Sequence, residues 1–177
     1  MNIVLIGYRG AGKSTVGRML AIHLGKEFVD TDEFIEKRMG EAIQDIVKYK
    51  GWGCFRAMEK KIIEEASRED DWVIAPGGGA VLDDENVAAL KKNGLVIWLN
   101  ADREILYRRI GQDPQTPASR PTLTGKGTLE EFEEVLASRE PLYRKAADVE
   151  IDTSTLKVDQ VSAKVLWALR EKKRGSL

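Results

Sequence analysis

Gly7-Tyr8-Arg9-Gly10-Ala11-Gly12-Lys13-Ser14-Thr15 follows the apolar run Ile3-Val4-Leu5-Ile6 and meets the pattern G-x-x-x-x-G-K-[ST] at every fixed position. The run before it reads as a buried parallel strand, and the residues after Gly12 open a helix with Val16, Met19, Leu20 and Leu24 at helical spacing. A strand feeding a glycine loop and then a helix turns backbone N–H groups and a helix N-terminus toward the phosphates of a nucleotide. Gly10, Ala11, Gly12, Lys13, Ser14 and Thr15 are therefore the nucleotide-binding positions. Lys13 bridges the β- and γ-phosphates, and Ser14 offers its hydroxyl to Mg²⁺, a hard cation that keeps water and phosphate as its other ligands. The plain alternative, a strand-to-helix turn with no ligand, leaves the coincidence of motif and context unexplained.

Further apolar runs stand at Glu27-Phe28-Val29, Trp72-Val73-Ile74-Ala75, Leu95-Val96-Ile97-Trp98-Leu99 and Val149-Glu150-Ile151. Segments with helical periodicity lie between them: roughly 14–24, 54–67, 84–92, 102–110, 128–147 with a break near Pro141, and 157–173. This alternation predicts an α/β fold with a parallel sheet. Gly25 and Gly94 stand where helix C-caps are expected, and Asp102 where an N-cap is expected. The stretch 111–127 holds three of the five prolines and little that packs in a core, and it reads as a long lid-like loop with Arg120 at its middle. A closing lid excludes water, which competes with the intended acceptor for the γ-phosphoryl group. The alternative is a surface loop with an incidental arginine.

The 177 residues suit one domain, and a net charge of −1 gives no global field that would call for nucleic acid or a membrane. Cys54 is alone, which excludes an internal disulfide and fits a reducing compartment. Met1-Asn2-Ile3 enters the first strand directly, with no leader pattern and no run of membrane-spanning length, so a cytoplasmic protein is expected. The basic end Arg170-Glu171-Lys172-Lys173-Arg174 reads as the solvated last turn of a helix.

Ligands of open α/β sheets sit beyond the carboxyl ends of the strands, so the residues after each apolar run are the candidates. The second run ends in Asp30-Thr31-Asp32, the third in Pro76-Gly77-Gly78-Gly79. An aspartate here either orients metal-bound water or accepts a hydroxyl proton during phosphoryl transfer, and the competing role is capping of the helix that follows. Arg56 and Glu59 lie three apart on a helix with Phe55, Met58, Ile62 and Ala66 as its apolar stripe, so Glu59 is placed to fix the Arg56 guanidinium for bidentate contact with a carboxylate. Arg139 opens Arg139-Glu140-Pro141-Leu142-Tyr143. Arginines ask for an anion and an aspartate near the γ-phosphate asks for a hydroxyl, so a hydroxylated carboxylic acid satisfies both.

Gly7 to Thr15, Asp30-Thr31-Asp32, Phe55-Arg56-Ala57-Met58-Glu59, Gly77-Gly78-Gly79-Ala80-Val81, Arg120-Pro121 and Arg139-Glu140-Pro141-Leu142-Tyr143, in this order, closely resemble the shikimate kinases over nearly the whole chain. The resemblance implies a P-loop three-layer sandwich of nucleoside-monophosphate-kinase type, with a five-stranded parallel sheet of order 2-3-1-4-5 and a lid at about 111–127. It implies a monomeric enzyme in which ATP and shikimate give 3-phosphoshikimate and ADP, with Mg²⁺, on the chorismate route to aromatic amino acids.

Carried over by position, the resemblance makes Asp32 the base and a ligand of the shikimate hydroxyls, with Arg56, Arg139 and the Gly78 amide holding the acid. It gives Asp30 to Mg²⁺ through water, Arg120 to ATP as the lid arginine, and Arg109 to the adenine. Lys13 and Arg120 join Asp32 as catalytic residues. Trp52 stands where a glutamate is usual, and Val47 where a phenylalanine often lines the acid pocket. The residues alone leave two rivals: another kinase of this fold, for a sugar acid or a nucleotide, and an ATP-binding switch without an acceptor.

Overall fold

The computed structural model describes residues 1–112 and 128–175. Arg120, Pro121 and nearly all of the expected lid lie outside them. The strands are β1 Asn2–Ile6, β2 Glu27–Asp30, β3 Trp72–Ala75, β4 Gly94–Asn100 and β5 Val149–Asp152. They form one five-stranded parallel sheet in the order β2-β3-β1-β4-β5, as expected. The helices described are α1 Lys13–Leu24, α2 Thr31–Met39, α3 Ile43–Arg68, α4 Asp84–Lys92, α5 Arg103–Gln112, α6 Thr128–Ala146 and α7 Val158–Arg174.

β1 is central, pairing Ile3 with Val73 on one side and with Leu95 on the other. It is covered on both faces, which is why it reads as an unbroken apolar run. Helices lie on both sides of the sheet; α1 packs against α7, and α3 against α4. The main core joins the sheet to these helices, while Ile35, Ile43, Ile46, Phe55 and Ile62 form a smaller apolar cluster between α2 and α3. Among the described residues no helix is long and apolar enough to cross a membrane.

Four local expectations need correction. Gly94 is the first residue of β4, not a C-cap; a Cβ there would meet the Leu90 carbonyl at 2.5 Å and Val4 at 2.8 Å, so close approach demands the glycine. Pro141 does not break α6, which runs continuously from Thr128 to Ala146. Pro141 and Ala137 both lie on the exposed face, so the Ala137 carbonyl that loses its helical partner is open to water. Helix α3 consists of two helical segments joined across a kink at Gly51, whose φ of 81° favours glycine; the second matches the helix expected from about Cys54, and the first, from Ile43, was not expected. Gly111 and Gln112, at the start of the stretch read as a loop, belong to α5.

Candidate active site

The loop from β1 to α1 is built by glycines. Gly7, Gly10 and Gly12 take φ values of 142°, 78° and 92°, where other residues are strained. Gly12 is the N-cap of α1 and supplies no side-chain cap, so the first N–H groups of the helix stay available to an anion. Lys13 Nζ donates to the carbonyls of Gly7 at 3.0 Å and Tyr8 at 3.2 Å, which holds it along the loop. Gly10, Ala11, Gly12, Lys13, Ser14 and Thr15 line a large cavity together with Asp30, Asp32, Arg109 and the apolar Leu156, Val158 and Val161. Arg109 donates to the Gly10 carbonyl at 3.4 Å and to the Thr153 carbonyl at 2.8 Å. It thereby ties the loop to the segment after β5.

Ser14 Oγ donates to Asp30 Oδ2 at 2.5 Å, and Asp30 Oδ1 accepts from the N–H groups of Asp32 at 3.0 Å and Glu33 at 3.4 Å. Capping and site formation, set against each other in the sequence reading, are both carried by Asp30. Two oxygen donors thus converge beside the loop. That set fits Mg²⁺, which takes one or two protein oxygens and leaves its other positions to phosphate and water. No cluster of three or more metal-ligating side chains exists among the described residues.

A second, smaller pocket adjoins the first, and Arg9, Asp32 and Ile43 line both. Its wall contains the predicted Arg56, Gly78 and Arg139 with Asp32, and also Tyr8, Trp52, Phe55 and Glu59. Arg56 Nη1 donates to Glu59 Oε2 at 2.5 Å. Glu59 is 1% exposed, and its other oxygen has no hydrogen-bond partner. Burial pushes the Glu59 carboxyl up to about 7, against the opposing pull of Arg56.

The glycines of the third loop are shaped by these side chains. A Cβ on Gly77 would meet Asp32 Oδ1 at 2.5 Å and Glu59 Oε1 at 2.9 Å, and one on Gly79 would crowd the Arg56 guanidinium. Gly78 is held by its carbonyl, which accepts from the Tyr143 hydroxyl at 2.5 Å. Tyr143 stacks on Trp98 of β4 with ring centroids 5.9 Å apart, and burial raises its hydroxyl so that it stays a neutral donor. Tyr143 thereby fixes the rotation of α6, and Arg139, four residues earlier on that face, is only 8% exposed.

The structure brings Asp32, Arg56, Gly78 and Arg139 into one pocket beside the loop cavity. Sequence reasoning missed Tyr8 and Arg9, which occupy variable positions of the motif, and Ile43, which carries no chemical signal. Phe55 reads as core and is both core and pocket wall. Trp52 lines the pocket, with the Arg56 guanidinium 5.5 Å from its ring, whereas Val47 packs in the smaller apolar cluster and does not line the pocket.

The shikimate kinase family model matches residues 9–170. Shikimate kinase of Syntrophus aciditrophicus is 43% identical over 173 residues, covering 93% of this chain and 89% of the relative. That of Symbiobacterium thermophilum is also 43% identical, covering 97% and 98% respectively. The solved shikimate kinase of Acinetobacter baumannii in complex with shikimate superposes with a TM-score of 0.89 at 34% identity, over 97% of this chain and 94% of the other. Fold, adjoining cavities and relatives agree, and the chain belongs to the shikimate kinase family.

Proposed function

We propose that the protein transfers the γ-phosphoryl group of ATP to the 3-hydroxyl of shikimate, giving 3-phosphoshikimate and ADP. The observation that carries this reading is the convergence of Arg56, Arg139 and Asp32 in one pocket that opens on the P-loop cavity. Two guanidiniums in a confined space suit a carboxylate, and Asp32 at the shared boundary suits a hydroxyl that faces the γ-phosphate. The solved relative bound to shikimate, of similar fold, supports the same occupant.

In this reading Arg56, held by Glu59, and Arg139 grip the carboxylate while the Gly78 amide and Asp32 orient the ring hydroxyls. The 3-hydroxyl oxygen forms a bond to the γ-phosphorus as the bond from that phosphorus to the β-phosphate oxygen breaks. The hydroxyl proton passes to Asp32, and ADP departs with the electron pair of the broken bond. Lys13 and the loop N–H groups neutralise charge on the phosphates, with Arg120, outside the described residues, as their partner from the lid. Ser14, and Asp30 through water, would hold Mg²⁺, which neutralises phosphate charge when bound. The adenine lies toward Arg109, Leu156 and Val158. We read residues 1–177 as one monomeric cytoplasmic domain acting on small molecules, in keeping with the net charge of −1 and the single cysteine.

The test is ADP release with Mg²⁺ and ATP against shikimate, gluconate, AMP and no acceptor. Turnover with shikimate alone is expected. A preference for gluconate or AMP would move the activity within the fold, and turnover independent of an acceptor would mean an ATPase switch.

A further inference from the structure

We propose that Arg9 is an additional catalytic residue, one that contacts the phosphoryl group as it crosses between the cavities and holds it on the product. The proposal rests on reading those cavities as the ATP and shikimate sites. Of the three residues that line both, Asp32, Ile43 and Arg9, only Arg9 is cationic. Its backbone lies close to the glycine loop opposite, where a Cβ on Gly78 would stand 3.7 Å from Arg9 N.

Arg9 is also charged without a counterion. Arg56 pairs with Glu59 and Arg109 with backbone and Thr153 oxygens, but among the described residues no carboxylate pairs with Arg9, and its Nε is buried without a hydrogen-bond partner. Its guanidinium rests 5.7 Å from the centre of the Tyr8 ring, which also has the Arg139 guanidinium at 6.0 Å. The aromatic ring holds the Arg9 side chain by a cation–π contact without neutralising it. The buried Nε donor and the cation without a carboxylate partner are thus both available to an anion at the boundary of the two cavities.

The identity of that anion follows from the place. The carboxylate of the acceptor already has Arg56 and Arg139 in the body of the pocket, and the anion that must pass the boundary is the phosphoryl group in transit. Its charge is spread over three equatorial oxygens while the oxygen–phosphorus bond to the acceptor forms and the bond to the β-phosphate breaks. Arg9 donates N–H groups to these oxygens, while the hydroxyl proton goes to Asp32 and Arg9 gives up none. Because the same oxygens remain on 3-phosphoshikimate, Arg9 also distinguishes product from substrate.

Steady-state ADP release and titration calorimetry on Arg9→Gln and Arg9→Lys test this. For Arg9→Gln, kcat is expected to fall about 10- to 100-fold. Affinity for shikimate should stay within about twofold and affinity for 3-phosphoshikimate should drop about tenfold, the size of one lost charge-assisted contact. Arg9→Lys, which keeps the charge but not the fork, should recover part of both losses. Equal weakening of shikimate and 3-phosphoshikimate would overturn the proposal by making Arg9 a carboxylate ligand, and unchanged kcat and product affinity would overturn it outright. A wild-type enzyme that shows no shikimate-dependent ADP release would instead sink the reading of the cavities, and the role of Arg9 with it.

Discussion

Gly79→Ala probes the proposed grip on the acid without replacing any charged group. Gly79 has φ −100° and ψ 0°, values open to alanine, so the backbone carries no new strain. The added Cβ would stand 2.7 Å from Arg56 Nη1 and 2.9 Å from its Cζ, with Nη2 closer still. Ordinary contact begins near 3.5 Å, so the guanidinium has to withdraw by roughly 1 Å. Glu59, buried and joined to Arg56 Nη1 at 2.5 Å, resists that movement. Losing the aligned fork on a carboxylate should remove about 1.5–3 kcal/mol, or roughly 10- to 100-fold in kcat/KM for shikimate. KM for ATP should stay within about twofold, because Gly79 does not line the nucleotide cavity. A coupled assay of ADP release over a matrix of both substrates measures this, with thermal melting to verify the fold. Unchanged kcat/KM for shikimate in a folded variant would refute the placement of Arg56 on the acid.

Asp32→Asn should lower kcat by about 10²–10⁴ with ATP affinity nearly intact, and an equal loss of ATP binding in a titration would assign Asp32 to the nucleotide instead. Glu59 also gives the unliganded protein a pH dependence: its carboxyl, pushed from 4.5 to about 7, keeps in the folded state a proton that the unfolded chain releases. Its contribution to stability therefore declines as pH rises from about 4.5 to about 7, by up to about 3 kcal/mol, and is level above that. Glu59→Gln should abolish this decline in urea unfolding at pH 5 and 8, and parallel wild-type and variant profiles would contradict it.

The sheet was legible because each strand carries an apolar run, short and mixed with a glutamate in the edge strands β2 and β5, and the loop because glycine, lysine and serine stand at fixed spacing. The motif aspartates and arginines were legible as chemistry but not as geometry. Nothing in Arg139-Glu140-Pro141 says that the proline stays within a helix; its tolerance depends on the exposure of Pro141 and Ala137, a tertiary fact. Nor does the sequence say that Tyr143 reaches from α6 to the Gly78 carbonyl, since the two are separated by 65 positions. Trp52 and Ile43 became pocket wall through the kink at Gly51 and the packing of α2 on α3, and periodicity marks such residues only as apolar. Gly94 shows the same limit from the other side: a glycine after a helix suggested a cap, and the close approach of Leu90 and Val4 decided otherwise.

The central claim, that the pocket grips a carboxylate and presents a hydroxyl to the γ-phosphate, is tested most directly by a double cycle. Wild type and Arg139→Lys are each assayed with shikimate and with its neutral carboxamide, and kcat/KM is compared across the four combinations. Arg139→Lys should cost about 2–4 kcal/mol with shikimate, because an ammonium keeps the charge but loses the planar fork and leaves a desolvated carboxylate half-paired. Replacing the carboxylate should then cost wild type far more than it costs the lysine variant, since one interaction cannot be lost twice. Additive losses across the cycle would mean that Arg139 does not touch the carboxylate, and would contradict the account.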